Sequence, residues 1–184
     1  MNEHIHYKQD QLFVENVALS EIAERFGTPC YVYSKAALVN SYRQYSDALK
    51  ERDHLICFAV KSNPNLSILR LFASLGAGFD IVSGGELQRV LSAGGDAKKV
   101  VFSGVGKSEA EMRQALAAGI LCFNVESEAE LLRLNEVAGS MCFGSVSVFA
   151  LGNWEPKSKD KTTTDQMTSF GRLIENRTMR SIIL

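Results

Sequence analysis

The sequence predicts an α/β protein, a partial (β/α)8 TIM barrel of about four βα units preceded by an N-terminal strand and helix leader. Three observations carry this. Apolar runs recur at Leu55–Val60, Gly78–Val82, Lys99–Ser103 and Leu121–Val125. Phe58, Asp80, Val101 and Phe123 stand at matching places in them, 22, 21 and 22 residues apart. A segment of helical apolar spacing follows each run. The runs are apolar on both faces, which suits parallel strands covered on both sides.

In chain order, the leader (residues 1–54) holds a short strand at Leu12-Phe13-Val14 and a helix from Leu19 to Phe26, ended by Gly27-Thr28-Pro29. Pro29-Cys30-Tyr31-Val32-Tyr33 is strand-like, and Ser34 caps a helix running to about Lys50. The barrel part (residues 55–140) follows. Asn65 caps a helix with Ile68, Leu69, Phe72 and Leu75 on one face, and Gly76 ends it. Leu87, Val90 and Leu91 mark the next helix, which stops at Gly94-Gly95. Ser108-Glu109-Ala110-Glu111 and Ser127-Glu128-Ala129-Glu130 have the pattern of capping boxes. Leu131, Leu134, Val137 and Ala138 give the last helix its apolar stripe.

A dinucleotide-binding sheet would carry Gly-x-Gly-x-x-Gly after its first strand. Lys61-Ser62-Asn63-Pro64 stands there instead, and the even spacing favours a barrel. A complete barrel takes about 250 residues, so four units are expected to make half of one. In the tail (residues 141–184), Phe143 to Leu151 has strand character and Arg172 to Leu184 has no βα rhythm. The polar run Lys157-Ser158-Lys159-Asp160-Lys161-Thr162-Thr163-Thr164 buries too little apolar surface to order itself, so a poorly ordered tail is expected.

Composition sets the function classes. The chain is 46% hydrophobic and 22% charged with net charge −1, so no basic field recruits nucleic acid or anionic membrane. The polar start, MNEHIHYKQD, has no signal-peptide core, and no apolar run nears the roughly 20 residues of a membrane span. Cys30, Cys57, Cys122 and Cys142 show no CxxC spacing, and three of them sit in apolar strand-like runs as small hydrophobes. A cytoplasmic protein without a metal site is expected. His4 and His6 are read as part of a mobile terminus, and no Ser-His-Asp or Cys-His set is visible.

Candidate chemistry lies at the ends of the strands. Lys61 ends the first run, Phe58-Ala59-Val60-Lys61-Ser62-Asn63-Pro64. A lysine there is either a solvated loop residue or a partly desolvated Schiff-base nucleophile. Asp80, inside Phe79-Asp80-Ile81-Val82, needs a partner because an isolated buried charge is costly. It is either a strand-end hydrogen-bonding group or a cofactor contact. Ser83-Gly84-Gly85-Glu86 opens a helix, either as a plain turn or as a backbone anion site. Glu86 favours the helix dipole in both cases. Gly104-Val105-Gly106-Lys107-Ser108 lacks the spacing of a nucleotide phosphate loop, and Lys107 is expected to be solvated.

Four motifs in order then carry a resemblance: Phe-Ala-Val-Lys-Ser-Asn-Pro, Gly-Ala-Gly-Phe-Asp-Ile-Val-Ser-Gly-Gly-Glu-Leu, Val-Phe-Ser-Gly-Val-Gly-Lys-Ser and Cys-Phe-Asn-Val-Glu-Ser-Glu-Ala-Glu-Leu. Over about residues 8–140 the chain resembles the fold-type III, alanine racemase-like pyridoxal-phosphate decarboxylases, and among them the diaminopimelate branch. The tail after about residue 140 departs from that pattern. The resemblance implies decarboxylation of meso-2,6-diaminopimelate to L-lysine, an amino-acid substrate and a homodimer. It implies that Lys61 holds pyridoxal 5'-phosphate and that Asp80 and Glu86 lie at the cofactor. The histidine, glycine-rich and Glu-Pro-Gly-Arg segments of the family have no counterpart here, so the chain alone is expected to be an inactive N-terminal fragment. Two alternatives stay open: a non-catalytic truncated or frameshifted product, and a pyridoxal-phosphate-binding protein of the same barrel superfamily.

Overall fold

The computed structural model describes residues 4–142, 146–150 and 181–183, in two compact units, Met1–Arg52 and Asp53–Leu184. Among the described residues no helix is long and apolar enough to cross a membrane.

In the first unit, β1 (Ile5–Lys8), β2 (Gln11–Val14) and β3 (Val17–Ala18) form an antiparallel sheet in that order. Gln9 and Asp10 link β1 to β2 with φ of 50° and 60°, the paired left-handed residues of a two-residue hairpin. That hairpin corrects the expectation of a mobile terminus. His6 pairs with Phe13 across the ladder and stacks on its ring at 6.0 Å. Polar side chains did not prevent strand formation, because the apolar Leu12-Phe13-Val14 run supplies an edge for the backbone to pair with. Helix α1 (Leu19–Phe26) follows, then α2 (Lys35–Ala48), where the Ser34 hydroxyl accepts the Ala37 N–H at 3.0 Å. Residues 29–33 form no strand. Tyr31 is 92% exposed, and Cys30 is exposed rather than buried. β-Branched and aromatic residues alone do not make a strand, and among the described residues this segment has no ladder partner.

The second unit winds as β4 (Leu55–Ala59), α3 (Leu66–Ser74), β5 (Gly78–Ile81), α4 (Gly84–Ser92), β6 (Val100–Phe102), α5 (Glu109–Ala118), β7 (Cys122–Val125), α6 (Glu128–Ser140), β8 (Val148–Ala150) and β9 (Ser181–Ile183). All of its strands pair in parallel, in the order β8-β7-β6-β5-β4-β9. From β4 to β8 each strand lies beside its successor. A doubly wound sheet would reverse direction at a switch point; this order is the winding of a barrel. β8 falls within the predicted Phe143–Leu151 run. β9, which the sequence did not suggest, pairs with the outer edge of β4. The polar run at 157–164 lies outside the described residues.

The pairing revises the repeat. Ala59, Asp80, Val101 and Cys122 are successive ladder partners, 21 residues apart at every step. Phe58 and Phe123 are each displaced by one residue from that row, and a one-residue shift turns a side chain to the other face. The two faces therefore differ. One carries Ile56, Phe58, Phe79, Ile81, Val100, Phe102, Phe123 and Val125, all buried. Helices cover it: Phe58 stacks on Phe72 of α3 at 4.3 Å, and Leu87 and Val90 of α4 are fully buried. The other face carries Cys57, Ala59, Gly78, Asp80, Val101 and Cys122, which are smaller and partly polar. Gly78 is required there, since a Cβ would lie 2.5 Å from the Lys99 carbonyl oxygen and 2.8 Å from Cys57 Sγ.

Candidate functional site

The polar side chains gather at the carboxyl ends of the parallel strands, where barrels place their chemistry. Lys61 sits in a single 3-10 turn, Val60–Ser62, directly after β4. The turn is pinned from both sides. The Ser62 hydroxyl donates to the Ala59 carbonyl at 2.7 Å, and the Asn63 N–H donates to the Val60 carbonyl at 3.1 Å. Asn63 Oδ1 in turn accepts the N–H of Asn65, which caps α3 by accepting the Ser67 N–H at 2.9 Å. Val60 is fully buried and Lys61 is exposed, so the buried strand delivers an amine to an open position.

Asp80 pairs with Ala59 on the neighbouring strand and is 5% exposed. The Ser103 hydroxyl donates to Asp80 Oδ1, and Asn124 Nδ2 donates to Ser103 Oγ at 2.9 Å. Burial pushes the Asp80 carboxyl above the usual carboxylate range. The Ser103 hydrogen bond and then the positive charges of Lys61 and Lys107 act in the opposite direction. On the same face of the sheet, burial pushes the Cys57 thiol up to about 12 and the Cys122 thiol up to about 11, with the Asp80 charge adding to both. These thiols are inert packing groups.

Glu86 lies elsewhere in the hydrogen-bond pattern. Its Oε2 accepts the Val82 N–H at 2.7 Å while the Ser83 hydroxyl accepts the Glu86 N–H at 3.2 Å. Ser83 and Glu86 thus close the N-terminus of α4 and fix the loop after β5. The glycine pair is not an open anion cradle. The Gly84 N–H donates to Glu111 Oε1 at 2.9 Å, and a Cβ on Gly84 would lie 2.5 Å from Gln114 Oε1. Gly84 is there so that α5 can approach closely. Glu111 also completes the predicted capping box with Ser108, and its carboxylate accepts three donors in all. The Gly84, Ser108 backbone and Ser108 hydroxyl donors hold it below the usual range.

Lys107 is the main correction to the sequence reading. Its side chain is 1% exposed, not solvated. Nζ donates to the carbonyls of Gly104 at 2.6 Å and Asn124 at 2.7 Å and to Glu130 Oε1 at 2.6 Å, which uses all three ammonium protons. It also lies 5.7 Å from the Phe102 ring centre. Glu130 uses its other oxygen to accept the Glu126 N–H at 3.0 Å, so the box predicted at Ser127 reaches one residue further back than the usual pattern.

Lys61 and Asp80 are therefore brought together, while Glu86 is committed to the backbone of Val82. Ser103 and Asn124 escaped the sequence reading, as did the pairing of Lys107 with Glu130. A signal for the first two existed, since Ser103 and Asn124 are separated by the same 21 residues as the ladder partners. The set fits the reactive end of an aldehyde cofactor: an open primary amine beside a buried carboxyl whose other neighbours are satisfied.

Comparisons with known proteins agree. Residues 35–182 match the family described as pyridoxal-dependent decarboxylase, pyridoxal binding domain. The diaminopimelate decarboxylase of Pseudomonas aeruginosa is 62% identical over 135 residues, which is 73% of this chain and 32% of that protein. That of Vibrio cholerae is 56% identical over 140 residues, 76% of this chain and 34% of that protein. The crystal structure of the diaminopimelate decarboxylase of M. jannaschii in complex with L-lysine superposes with a TM-score of 0.79 at 30% identity, covering 99% of this chain and 47% of that one. The chain thus spans about a third of the length of these curated relatives. With the barrel winding, the strand-end lysine and a family match over most of its length, the chain belongs to the pyridoxal-dependent decarboxylases, through their pyridoxal-binding domain.

Proposed function

We propose that this chain supplies the lysine-bearing part of a pyridoxal 5'-phosphate site in an enzyme that decarboxylates meso-2,6-diaminopimelate to L-lysine. The observation that carries this reading is the placement of Lys61, an exposed amine on a pinned turn, two residues beyond Ala59, the ladder partner of the buried Asp80. Identity of 62% and 56% to diaminopimelate decarboxylases supports this substrate.

When bound, pyridoxal phosphate accepts the electron pair left behind as an amino acid loses its carboxylate as CO2. The chain's own residues prepare the place for it. Lys61 offers a primary amine to the cofactor aldehyde. Asp80 stabilises positive charge on the nitrogen at that position, and its burial strengthens the effect because little water screens it. Glu86 and Ser83 hold the loop after β5 in place beside them. Lys107, with no proton to spare, braces the loop after β6 and takes no part in binding. Free thiols at Cys30, Cys57, Cys122 and Cys142 suit a reducing, cytoplasmic setting, and a homodimer belongs to the same proposal.

The reading is tested by measuring CO2 release from meso-diaminopimelate with added pyridoxal phosphate, by this chain alone and together with a full-length relative. Little or no release is expected from the chain alone. A Lys61→Ala change in the full-length relative at the matching lysine is expected to abolish release; unchanged release there would overturn the assignment of Lys61.

A further inference from the structure

Asn124, Ser103 and Asp80 stand on three neighbouring strands or their ends and form a directed hydrogen-bond chain. The direction follows from proton count. Ser103 has one hydroxyl proton, and it goes to Asp80 Oδ1. Its lone pair is then free to accept, and the Asn124 amide N–H fills it at 2.9 Å. The Asn124 backbone is fixed in β7, and its carbonyl accepts from the buried Lys107 at 2.7 Å. Every link is anchored in the sheet, and the row projects from the small-residue face.

We propose that Ser103 and Asn124 are positioning residues that hold Asp80 as a hydrogen-bond acceptor with its negative charge available to the nitrogen at Lys61. The proposal rests on Lys61 being the cofactor lysine. With the Oδ1 lone pairs engaged by a donor, the carboxylate form of Asp80 is favoured against its burial. The groups acting on Asp80 are Lys61 after β4, Lys107 ahead of α5, and the thiols Cys57 of β4 and Cys122 of β7. The two lysines are the only cations in that set, and Lys107 is neutralised by Glu130. Lys61 is the cation that the charge of Asp80 is left to serve.

The test reads Asp80 directly, by carbon-13 NMR titration of its carboxyl in the ligand-free full chain. Ser103→Ala is expected to move its midpoint upward by about one pH unit, the equivalent of one hydrogen bond to a charged group. Asn124→Ala, which does not touch Asp80, is expected to move it in the same direction by less. Ser103→Thr keeps the hydroxyl and is expected to hold the wild-type value. An unmoved midpoint in both alanine variants overturns the proposal; if Ser103→Ala fails to fold, Asn124→Ala decides. Added pyridoxal phosphate gives the second arm. In the alanine variants the visible absorbance of bound cofactor is expected to titrate at lower pH, because less negative charge faces its nitrogen. If Asp80 responds but Lys61 takes up no cofactor, the cofactor reading fails and the hydrogen-bond chain stands. If Lys61 takes up cofactor but Asp80 is unmoved, the reverse holds.

Discussion

Lys107 Nζ lies 2.6 Å from Glu130 Oε1, with the two side chains 1% and 9% exposed. This pair ties the loop after β6 to the first turn of α6, across adjacent βα units. Glu111 does the same one unit earlier, tying α5 to the first turn of α4 through Gly84. The Ser-x-x-Glu repeat at 83, 108 and 127 therefore caps helices and, at Glu111 and Glu130, also joins neighbours at the mouth of the site.

Removing one partner of a buried pair leaves an uncompensated charge. Lys107→Ala is expected to cost the second unit about 3 kcal/mol or more. Urea unfolding followed by circular dichroism checks this, and a loss under about 1 kcal/mol, the range of exposed pairs, would contradict it.

Two glycines separate packing from conformation. Gly78→Ala pushes a methyl against the rigid Lys99 carbonyl and Cys57 and is expected to cost about 1–3 kcal/mol. In Gly85→Ala the nearest atom, Ser83 Oγ, would be 3.8 Å away, so the change is expected to be neutral or stabilising by up to about 1 kcal/mol. Thermal melting of the two variants ranks them.

The pH profile carries two opposed signatures. The Asp80 carboxyl is raised on folding, so the folded state binds its proton more tightly and Asp80 removes stability as pH rises from its unfolded value through its folded one. Glu111 is lowered, so it contributes stability above the unfolded carboxylate value that is lost as pH falls through its folded one. Asp80→Asn is expected to flatten the decline on the alkaline side of that window. Glu111→Gln is expected to flatten the loss in acid. Urea midpoints measured across acidic to neutral pH distinguish the two.

Burial also ranks the thiols. Cys30 is exposed and is expected to alkylate with iodoacetamide in the native chain. Cys57, buried and pushed up to about 12, is expected to react only after unfolding. Peptide mass spectrometry before and after denaturation reads both.

The barrel winding was legible because caps, stripes and repeat spacing all point the same way. The register was not, since Phe58 looks interchangeable with Ala59 in an apolar run until pairing puts them on opposite faces. Lys107 looked solvated because its three acceptors, two carbonyls and Glu130, come from positions separated from it by up to 23 residues. Tyr31 and His6 erred in opposite directions for one reason: a strand needs a partner edge, and side-chain type does not reveal which segment has one. The strand-end positions of Lys61 and Asp80 were legible because both follow buried runs; Ser103 and Asn124, short polar residues in ordinary positions, gain meaning only from the ladder.

The central claim is that Lys61 is the cofactor lysine. Incubating the chain with pyridoxal phosphate, reducing with sodium borohydride and mapping the stable adduct by peptide mass spectrometry tests it most directly. The account predicts a single dominant adduct at Lys61, absent from Lys61→Ala and weakened in Asp80→Asn. Labelling spread over exposed lysines such as Lys35 and Lys98, with Lys61 no more modified than they are, would contradict it.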